Sequence, residues 1–322
     1  MPRAFITGIT GQDGGYLAER LEAESWEVHG LVHGGDRNVE SMRRRTPSAV
    51  LHEGDLGDPA GLIALLEELR PAEIYNLGGI SSVAASWQDP VMTARVTGLG
   101  PAAILHGAAR LHDAGHPVRV LQASSAEIFG SARRSPQDES TPLRPQNPYG
   151  AAKAYAHQLC AVYRARGVFA AACVLYNHES PRRPETFVTR KITRAAARIA
   201  QGRQQTVSLG NLDARRVWGW APDYVDAMIR TIRHGSAEEF VVATGEAHSV
   251  RELAEAAFLR AGVPDWPSRI SVDAGLGRPT DAAEQVGNPA KARAVLGWSP
   301  TVRFPEMVAR MVEADLAAEA QS

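Results

Sequence analysis

The sequence predicts an α/β protein: a doubly wound parallel sheet with a smaller, interleaved C-terminal substrate-binding domain. Three observations lead there. Short β-branched runs alternate with longer helical patterns through the first half of the chain, and that alternation implies a parallel sheet covered on both faces. A glycine cluster follows the first strand pattern and precedes a helix, the position at which such sheets hold a ligand. After Asn177 the rhythm breaks, interrupted by Pro181, Arg182, Arg183 and Pro184.

Strands are expected at Arg3–Thr7, Glu27–Val32, Glu73–Leu77, Val118–Ala123 and Ala170–Leu175, where apolar and β-branched residues cluster. Between them Gly15–Glu24, Ala60–Leu69, Pro90–Leu111 and Tyr149–Arg166 read as helices. Right-handed crossovers make these units a Rossmann sheet. Further on, Phe187–Gln201 reads as a basic helix, Phe240–Ala243 as a strand, and Val250–Ala261 and Pro289–Leu296 as helices. Arg190, Arg194 and Arg198 share a face of the basic helix and are expected to form a solvated stripe, with Leu316–Ala320 a fraying helix end. The dinucleotide-binding domain is thus expected over 1–176, joined again by 212–245, and the substrate domain over 177–211 and 246–322.

Composition narrows the function classes. With 44% hydrophobic and 22% charged residues, the chain is globular rather than disordered or fibrous. A net charge of −1 provides no field for nucleic acid or a membrane surface, so neither is expected as a partner. Cys160 and Cys173 match no zinc or redox spacing, so no metal is expected, and both read as small buried hydrophobes. The N-terminus enters a strand pattern without a charged n-region or long apolar span, which suggests a cytoplasmic protein.

The strand Arg3–Thr7 runs into Gly8-Ile9-Thr10-Gly11-Gln12-Asp13-Gly14. Glycine permits a tight turn and close backbone approach to a pyrophosphate, and the following helix N-terminus offers free N–H groups and a positive dipole end. In this context the string is a dinucleotide site rather than an ordinary turn. Asp55 and Leu56 are expected beside the adenine, with a helix cap ahead of Pro59 as the other reading of Asp55. The second strand ends in His33-Gly34-Gly35, with no acid before Asp36, where an acid would hold the ribose hydroxyls of NAD. Arg37 and Arg43-Arg44-Arg45 fit a 2′-phosphate and fit equally a solvated basic turn.

Asn147-Pro148-Tyr149-Gly150-Ala151-Ala152-Lys153 carries the chemistry. Asn147 can cap a helix that Pro148 begins, and Tyr149 and Lys153, four apart, then share a face. A nearby ammonium stabilises phenolate and lowers the tyrosine pKa, which suits proton abstraction. Ser124-Ser125-Ala126-Glu127 lies at the carboxyl end of a strand pattern. Ser125 can join a proton relay with Tyr149. Glu127 discriminates: simple alcohol oxidation needs no carboxylate there, whereas removal of a carbon-bound proton beside a ketone does. The alternative is a helix N-terminal charge.

At this point the sequence resembles the GDP-mannose 4,6-dehydratase family of extended short-chain dehydrogenases. The resemblance rests on TGITGQDG, Tyr149/Lys153 and SSAEIFG, and on three later stretches, 176–183, 185–193 and 209–216, with Gly277-Arg278-Pro279-Thr280-Asp281 beyond them. It implies Ser125, Glu127, Tyr149 and Lys153 as catalytic residues. It implies a nicotinamide coenzyme, NADP with NAD left open, held by Gly8, Thr10, Gly11, Gln12, Asp13, Gly14, Arg37, Asp55, Leu56, Leu77, Tyr149, Lys153, His178 and Arg183. The substrate, a nucleotide sugar and by resemblance GDP-linked, falls to Asn177, Glu179, Val188, Lys191, Leu209, Asn211, Arg216 and Arg278. A homodimer through the helices 90–111 and 149–166 is implied, with the tetramer open.

Departures from the family bear on these expectations. Family members carry threonine where Ser125 stands, and two arginines and two serines where this chain has His33-Gly34-Gly35-Asp36. Their Gln-Ser-His near the hexose is Ile80-Ser81-Ser82 here, and their Asp-Trp-Gly-His is Val217-Trp218-Gly219-Trp220. The competing functions are an epimerase or 4-keto reductase on the same scaffold, and a cofactor-binding protein without activity.

Overall fold

The computed structural model describes residues 1–276 and 284–321, so Arg278 and its neighbours in the 277–281 motif lie outside the described residues. Its centre is a seven-stranded sheet, parallel throughout. The strands are β1 (Arg3–Thr7), β2 (Glu27–Val32), β3 (Val50–Glu53), β4 (Glu73–Asn76), β5 (Arg119–Ser125), β6 (Phe169–Leu175) and a final edge strand, Glu239–Val242. Their order is edge strand, β6, β5, β4, β1, β2, β3, so the chain reverses direction across the sheet between β1 and β4. A crevice opens there, outside the carboxyl ends of the strands. The edge strand is the one expected near Phe240–Ala243, placed here beside β6. β3 adds to the strands expected, its four residues being too few to show a period.

Both faces of the sheet are covered, and each core is apolar. On one face Ile6, Leu121 and Phe240 pack with Leu17, Leu21, Met228 and Ile232 from helices α1 (Gln12–Ala23) and Ala221–Arg233. On the other, Phe5, Ile74 and Val120 meet Leu62, Leu66, Ile104 and Ala108 from helices Pro59–Leu69 and Gly100–Asp113. Fully buried side chains such as Phe5, Leu17 and Leu21 each contribute about 1.5–3 kcal/mol by leaving water. Helix boundaries follow local chemistry. Asp58 caps Pro59–Leu69 by accepting from the Gly61 N–H, while Asp55 accepts from Gly57 N–H in the turn before it.

A second core gathers Ile192, Leu209, Trp218, Leu253, Phe258, Met307 and Met311. It joins helices Val188–Ala200, Val250–Arg260 and Phe304–Ala320. Two details shift the expected division of the chain. Leu212, Ala214 and Trp218, expected with the sheet, pack in this second core, and Arg215–Val217 pairs with Ala247–Ser249. Conversely, Ala292 and Trp298 return to the first core, where the Trp298 indole donates to the Asp223 carbonyl at 2.8 Å.

The basic helix is not a solvated stripe, and Leu316–Ala320 stays within a helix that runs to Ala320. Asp315 and Glu319 lie four residues apart on the C-terminal helix, 0% and 4% exposed, and meet the arginines of Val188–Ala200. Asp315 pairs with Arg190 and lies 3.8 Å from Arg194. Glu319 takes Arg194 at 2.7 Å and Arg198 at 3.0 Å, and Glu185 takes Arg198 at 3.3 Å from the other side. Two matching four-residue spacings thus close two helices over each other.

A second ion pair ties the two cores together at the crevice. His178 Nε2 lies 2.7 Å from Asp13 at the start of α1, and His178 Nδ1 lies 2.7 Å from the Tyr176 carbonyl. Gln12 adds two links, donating to the His178 carbonyl at 3.1 Å and accepting from the Ser180 hydroxyl at 2.8 Å. Burial raises the Asp13 pKa, but the charge and hydrogen bond of His178 outweigh it and hold the group below its ordinary 3.8. Burial lowers His178, and Asp13 outweighs that too, leaving it above 6.5.

Two outcomes follow from these pairs. Asp315→Ala leaves the buried Arg190 guanidinium without its acid and should cost about 3–5 kcal/mol in denaturant unfolding. For the second pair, a depressed acid contributes stability above its unfolded pKa, and a raised histidine contributes it below its unfolded pKa. The stability difference between wild type and Asp13→Asn should therefore be largest between pH 3.8 and 6.5. It should fade as pH falls through the Asp13 pKa or rises through that of His178, which unfolding curves across pH would read directly.

Candidate active site at the carboxyl ends of the strands

The glycine loop forms one wall. Gly8 has φ of +71°, and a Cβ there would come within 2.9 Å of the Gly78 backbone, because the loops after β1 and β4 touch at the reversal point. A Cβ on Gly14 would overlap the Gly8 carbonyl, so only glycine lets α1 start this close to the loop. Gly11 is the N-cap and brings no side chain to the first N–H groups, which leaves them for an anion. The Leu56 side chain lies against Gly78, and Leu77 N–H reaches the Thr7 carbonyl at 3.3 Å. Gly8, Gly11, Gly14, Leu56 and Leu77 therefore share one cradle. A dinucleotide fits it because Gly8 and Gly14 leave no room for a Cβ and Gly11 brings no capping side chain.

Asn147 builds the opposite wall. Its Oδ1 accepts from the Gly150 N–H at 2.7 Å, capping the helix Pro148–Arg164, and its Nδ2 donates to Glu127 at 2.7 Å. Glu127 is half-buried and turned toward this helix, not out to solvent. A Cβ on Gly150 would stand 2.6 Å from the Glu127 carbonyl oxygen, so glycine at 150 is what allows the helix and the β5 end to meet. Tyr149 and Lys153 follow on the helix, both under a tenth exposed.

The phenol and the ammonium respond oppositely to burial. Burial pushes the Tyr149 phenol up to about 12, against a hydrogen bond with Ser125 and the charge of Arg183, with Glu127 pushing the same way as burial. Burial drops Lys153 to about 8, with Asp13 opposing. The Lys153 ammonium lies 5.9 Å from the Tyr149 ring centroid and donates to the Ala123 carbonyl at 2.7 Å. The expectation that a nearby ammonium lowers the tyrosine pKa is thus corrected: desolvation dominates and raises it.

A buried polar chain supports that lysine. Thr7 Oγ1 donates to Asn76 at 2.6 Å, Asn76 to Gln122 at 2.7 Å, and Gln122 to the same Ala123 carbonyl at 2.8 Å. The signal was visible as two amides, Asn76 and Gln122, inside apolar strand patterns. Glu179 sits beside the crevice, 2% exposed, accepting from Thr189 at 2.6 Å and facing Arg183 at 3.3 Å. Burial raises its pKa, and Arg183 pulls the other way without overcoming it.

Thr10 turns to Asp36, and Arg37 is exposed away from it. Asp55 lines a separate cavity of about 250 Å³ with His52 and Asp58. Asn177 gives its carbonyl to Gly219 N–H at 2.9 Å. Val188 and Lys191 lie on the helix Val188–Ala200, Arg216 is 8% exposed on the strand Arg215–Val217, and Asn211 is exposed, its Oδ1 held by Asp213 N–H at 2.9 Å. The Leu209 side chain, expected at the substrate, is instead buried in the second core. Both cysteines are buried, and burial raises each to about 12, so neither is a nucleophile. Among the described residues no group of His, Cys, Asp or Glu could hold a metal ion, and no helix is long and apolar enough to cross a membrane.

A family model described as GDP-mannose 4,6 dehydratase matches residues 5–311. GDP-mannose 4,6 dehydratase from Homo sapiens is 41% identical, over 97% of this chain and 91% of its own length. GDP-mannose 4,6 dehydratase 2 from Arabidopsis thaliana is 43% identical, over 97% and 86%. Among solved structures, UDP-glucose 4-epimerase from Thermus thermophilus in complex with NAD superposes with a TM-score of 0.83 at 25% identity, over 98% of this chain and 99% of that one. RMD from Pseudomonas aeruginosa complexed with NADPH does so at 0.81 and 25%, over 99% and 100%. With a family match over nearly its whole length and relatives above 40% identity, the chain belongs to the GDP-mannose 4,6-dehydratase family.

Proposed function

We propose that the chain is a hydro-lyase, a nucleotide-sugar 4,6-dehydratase that converts GDP-mannose or a related nucleotide hexose to its 4-keto-6-deoxy form. The observation that carries this reading is the Glu127 carboxylate, held by Asn147 at the head of the helix bearing Tyr149 and Lys153. Epimerases and ketoreductases need no carbon base at that point. The names of the curated relatives support the substrate class, and the NAD and NADPH of the two similar structures support a nicotinamide coenzyme. The cradle of Gly8, Gly11 and Gly14 would hold it, with Arg183 and the Asp13–His178 pair alongside.

When bound, a nicotinamide coenzyme would supply reversible hydride transfer, between C4 and C6 of the sugar. The protein's own groups move the protons. Tyr149, with Ser125 beside it, takes the C4 hydroxyl proton as C4 becomes a ketone. The ketone acidifies C5–H, and Glu127 removes that proton. Glu127 then passes it to the C6 hydroxyl, which leaves as water and opens a C5–C6 double bond. Once C6 has regained hydride, Tyr149 returns its proton to C5. The sugar loses one water and there is no net redox change. Asn177, Glu179, Val188, Lys191, Asn211 and Arg216 flank the place of the nucleotide sugar, where guanidinium forks suit a diphosphate.

The chain also pairs with a second copy through the helices 83–113 and 148–164. Val91, Trp87 and Val162 are 77%, 54% and 56% exposed there, an apolar surface that a four-helix contact would cover.

Incubation with GDP-mannose and coenzyme, followed by mass spectrometry, should show loss of one water without net coenzyme reduction. An unchanged mass, or a net gain or loss of two hydrogens, would remove the dehydratase reading. Glu127→Gln should slow water loss about 10²–10⁴-fold while leaving C4 oxidation detectable in a single turnover. Deuterium exchange at C5 persisting in that variant would contradict the role given to Glu127. Tyr149→Phe should abolish the first hydride transfer. Val91→Arg should yield monomers in light scattering.

A further inference from the structure

The ends of β2 and β3 and the loop between β2 and the next helix enclose a cavity of about 320 Å³, lined by His33, Gly34, Asp36, Arg43 and Glu53 among others. Asp36 is fixed in it at both oxygens. Oδ2 accepts from the Thr10 hydroxyl at 2.5 Å and Oδ1 from the Asn38 N–H at 2.9 Å. Thr10 belongs to the glycine loop, so this carboxylate is tied to the cradle that would hold the pyrophosphate. Glu53 lies close by: its Oε1 stands 2.6 Å from where a Cβ on Gly34 would be, in the space that a longer side chain at 34 would take. A carboxylate has about four lone-pair sites, so Asp36 keeps acceptors for hydroxyl groups.

We propose that this chain selects NAD over NADP, Asp36 receiving the adenosine ribose hydroxyls and Glu53 repelling a phosphate at the 2′ position. The inference rests on the reading of the chain as a nicotinamide enzyme. The charges facing the cavity are two carboxylates, Asp36 and Glu53, against one guanidinium, Arg43, with His33 beside them. A dianionic phosphate there meets net negative charge, while a diol meets a fixed acceptor. The other cations of this region are committed or outside. Arg45 lies 3.5 Å from Glu19 and donates to Ser41 at 2.8 Å, and Arg37 is exposed and not part of the lining.

Calorimetric titration of the full chain with NAD⁺ and with NADP⁺, without substrate, tests this apart from catalysis. NAD⁺ should bind about tenfold tighter or more. Asp36→Ser should bring the two affinities together by weakening NAD⁺ and strengthening NADP⁺, with the melting temperature checking that the variant is folded. Salt gives an independent sign. Screening relieves repulsion, so added NaCl should narrow the preference in wild type. NADP⁺ binding as well as or better than NAD⁺, a ratio unmoved by Asp36→Ser, or a preference for NAD⁺ that widens with salt would each overturn the proposal. So would a loss of NADP⁺ affinity alone in Arg43→Ala, because Arg43 would then be reading the phosphate. If NAD⁺ binds as described but GDP-mannose is not dehydrated, the function falls and the coenzyme assignment stands.

Discussion

One amide organises the reactive groups. The Asn147 side chain caps the helix of Tyr149 and Lys153 with its oxygen and grips Glu127 with its nitrogen. A serine or aspartate would cap as well, but neither presents an N–H pair to a carboxylate. The cap and the acid are thus one rigid unit, and the phenol and ammonium inherit their positions from it through helical spacing. Because Gly150 lets the Glu127 backbone approach, the end of β5 and the start of the helix form a single joint. The proposed dehydration calls for a carbon base and an oxygen base acting on adjacent atoms of one ring, and a rigid joint would keep them in step.

A second constraint joins this unit to the coenzyme cradle. Thr7, Asn76, Gln122 and the Ala123 carbonyl link β1, β4 and β5 below the crevice and end on the Lys153 ammonium. Above it, Asp13, Gln12 and His178 fasten the start of α1 to the segment leading into Glu179 and Arg183. The first chain is buried and neutral apart from the lysine, and low dielectric strengthens each of its bonds. The second is ionic and lies at the seam between the two cores. The crevice is therefore stiff beneath and joined above by a pair whose strength varies with pH.

The glycine loop, the helix with Tyr149 and Lys153, and most of the sheet strands were legible because each has a local cause: a turn needing glycine, a cap before proline, β-branched runs. What stayed hidden depends on pairing across distance. Arg190, Arg194 and Arg198 look like a solvated face until Asp315 and Glu319, over a hundred residues later, are brought onto them. Leu209 follows the family's substrate pattern in sequence, yet its side chain fills a core that only folding assembles. Asp36 lies four residues beyond the end of β2, and only the folded chain brings it under the Thr10 hydroxyl of the glycine loop.

The acid–base balance of the pocket explains why these supports matter. Ordinary tyrosine and lysine titrate close together, but here burial separates them, the phenol at about 12 and the ammonium at about 8. Burial, with Glu127 on its side, outweighs Ser125 and Arg183 and keeps Tyr149 protonated near neutrality. Positive charge arriving with a ligand would favour the phenolate, and an acid at 127 free to swing closer would oppose it. Asn147 opposes that movement by holding Glu127 from the side of the helix cap. The same burial that keeps the phenol protonated strengthens every hydrogen bond around it once water has been expelled.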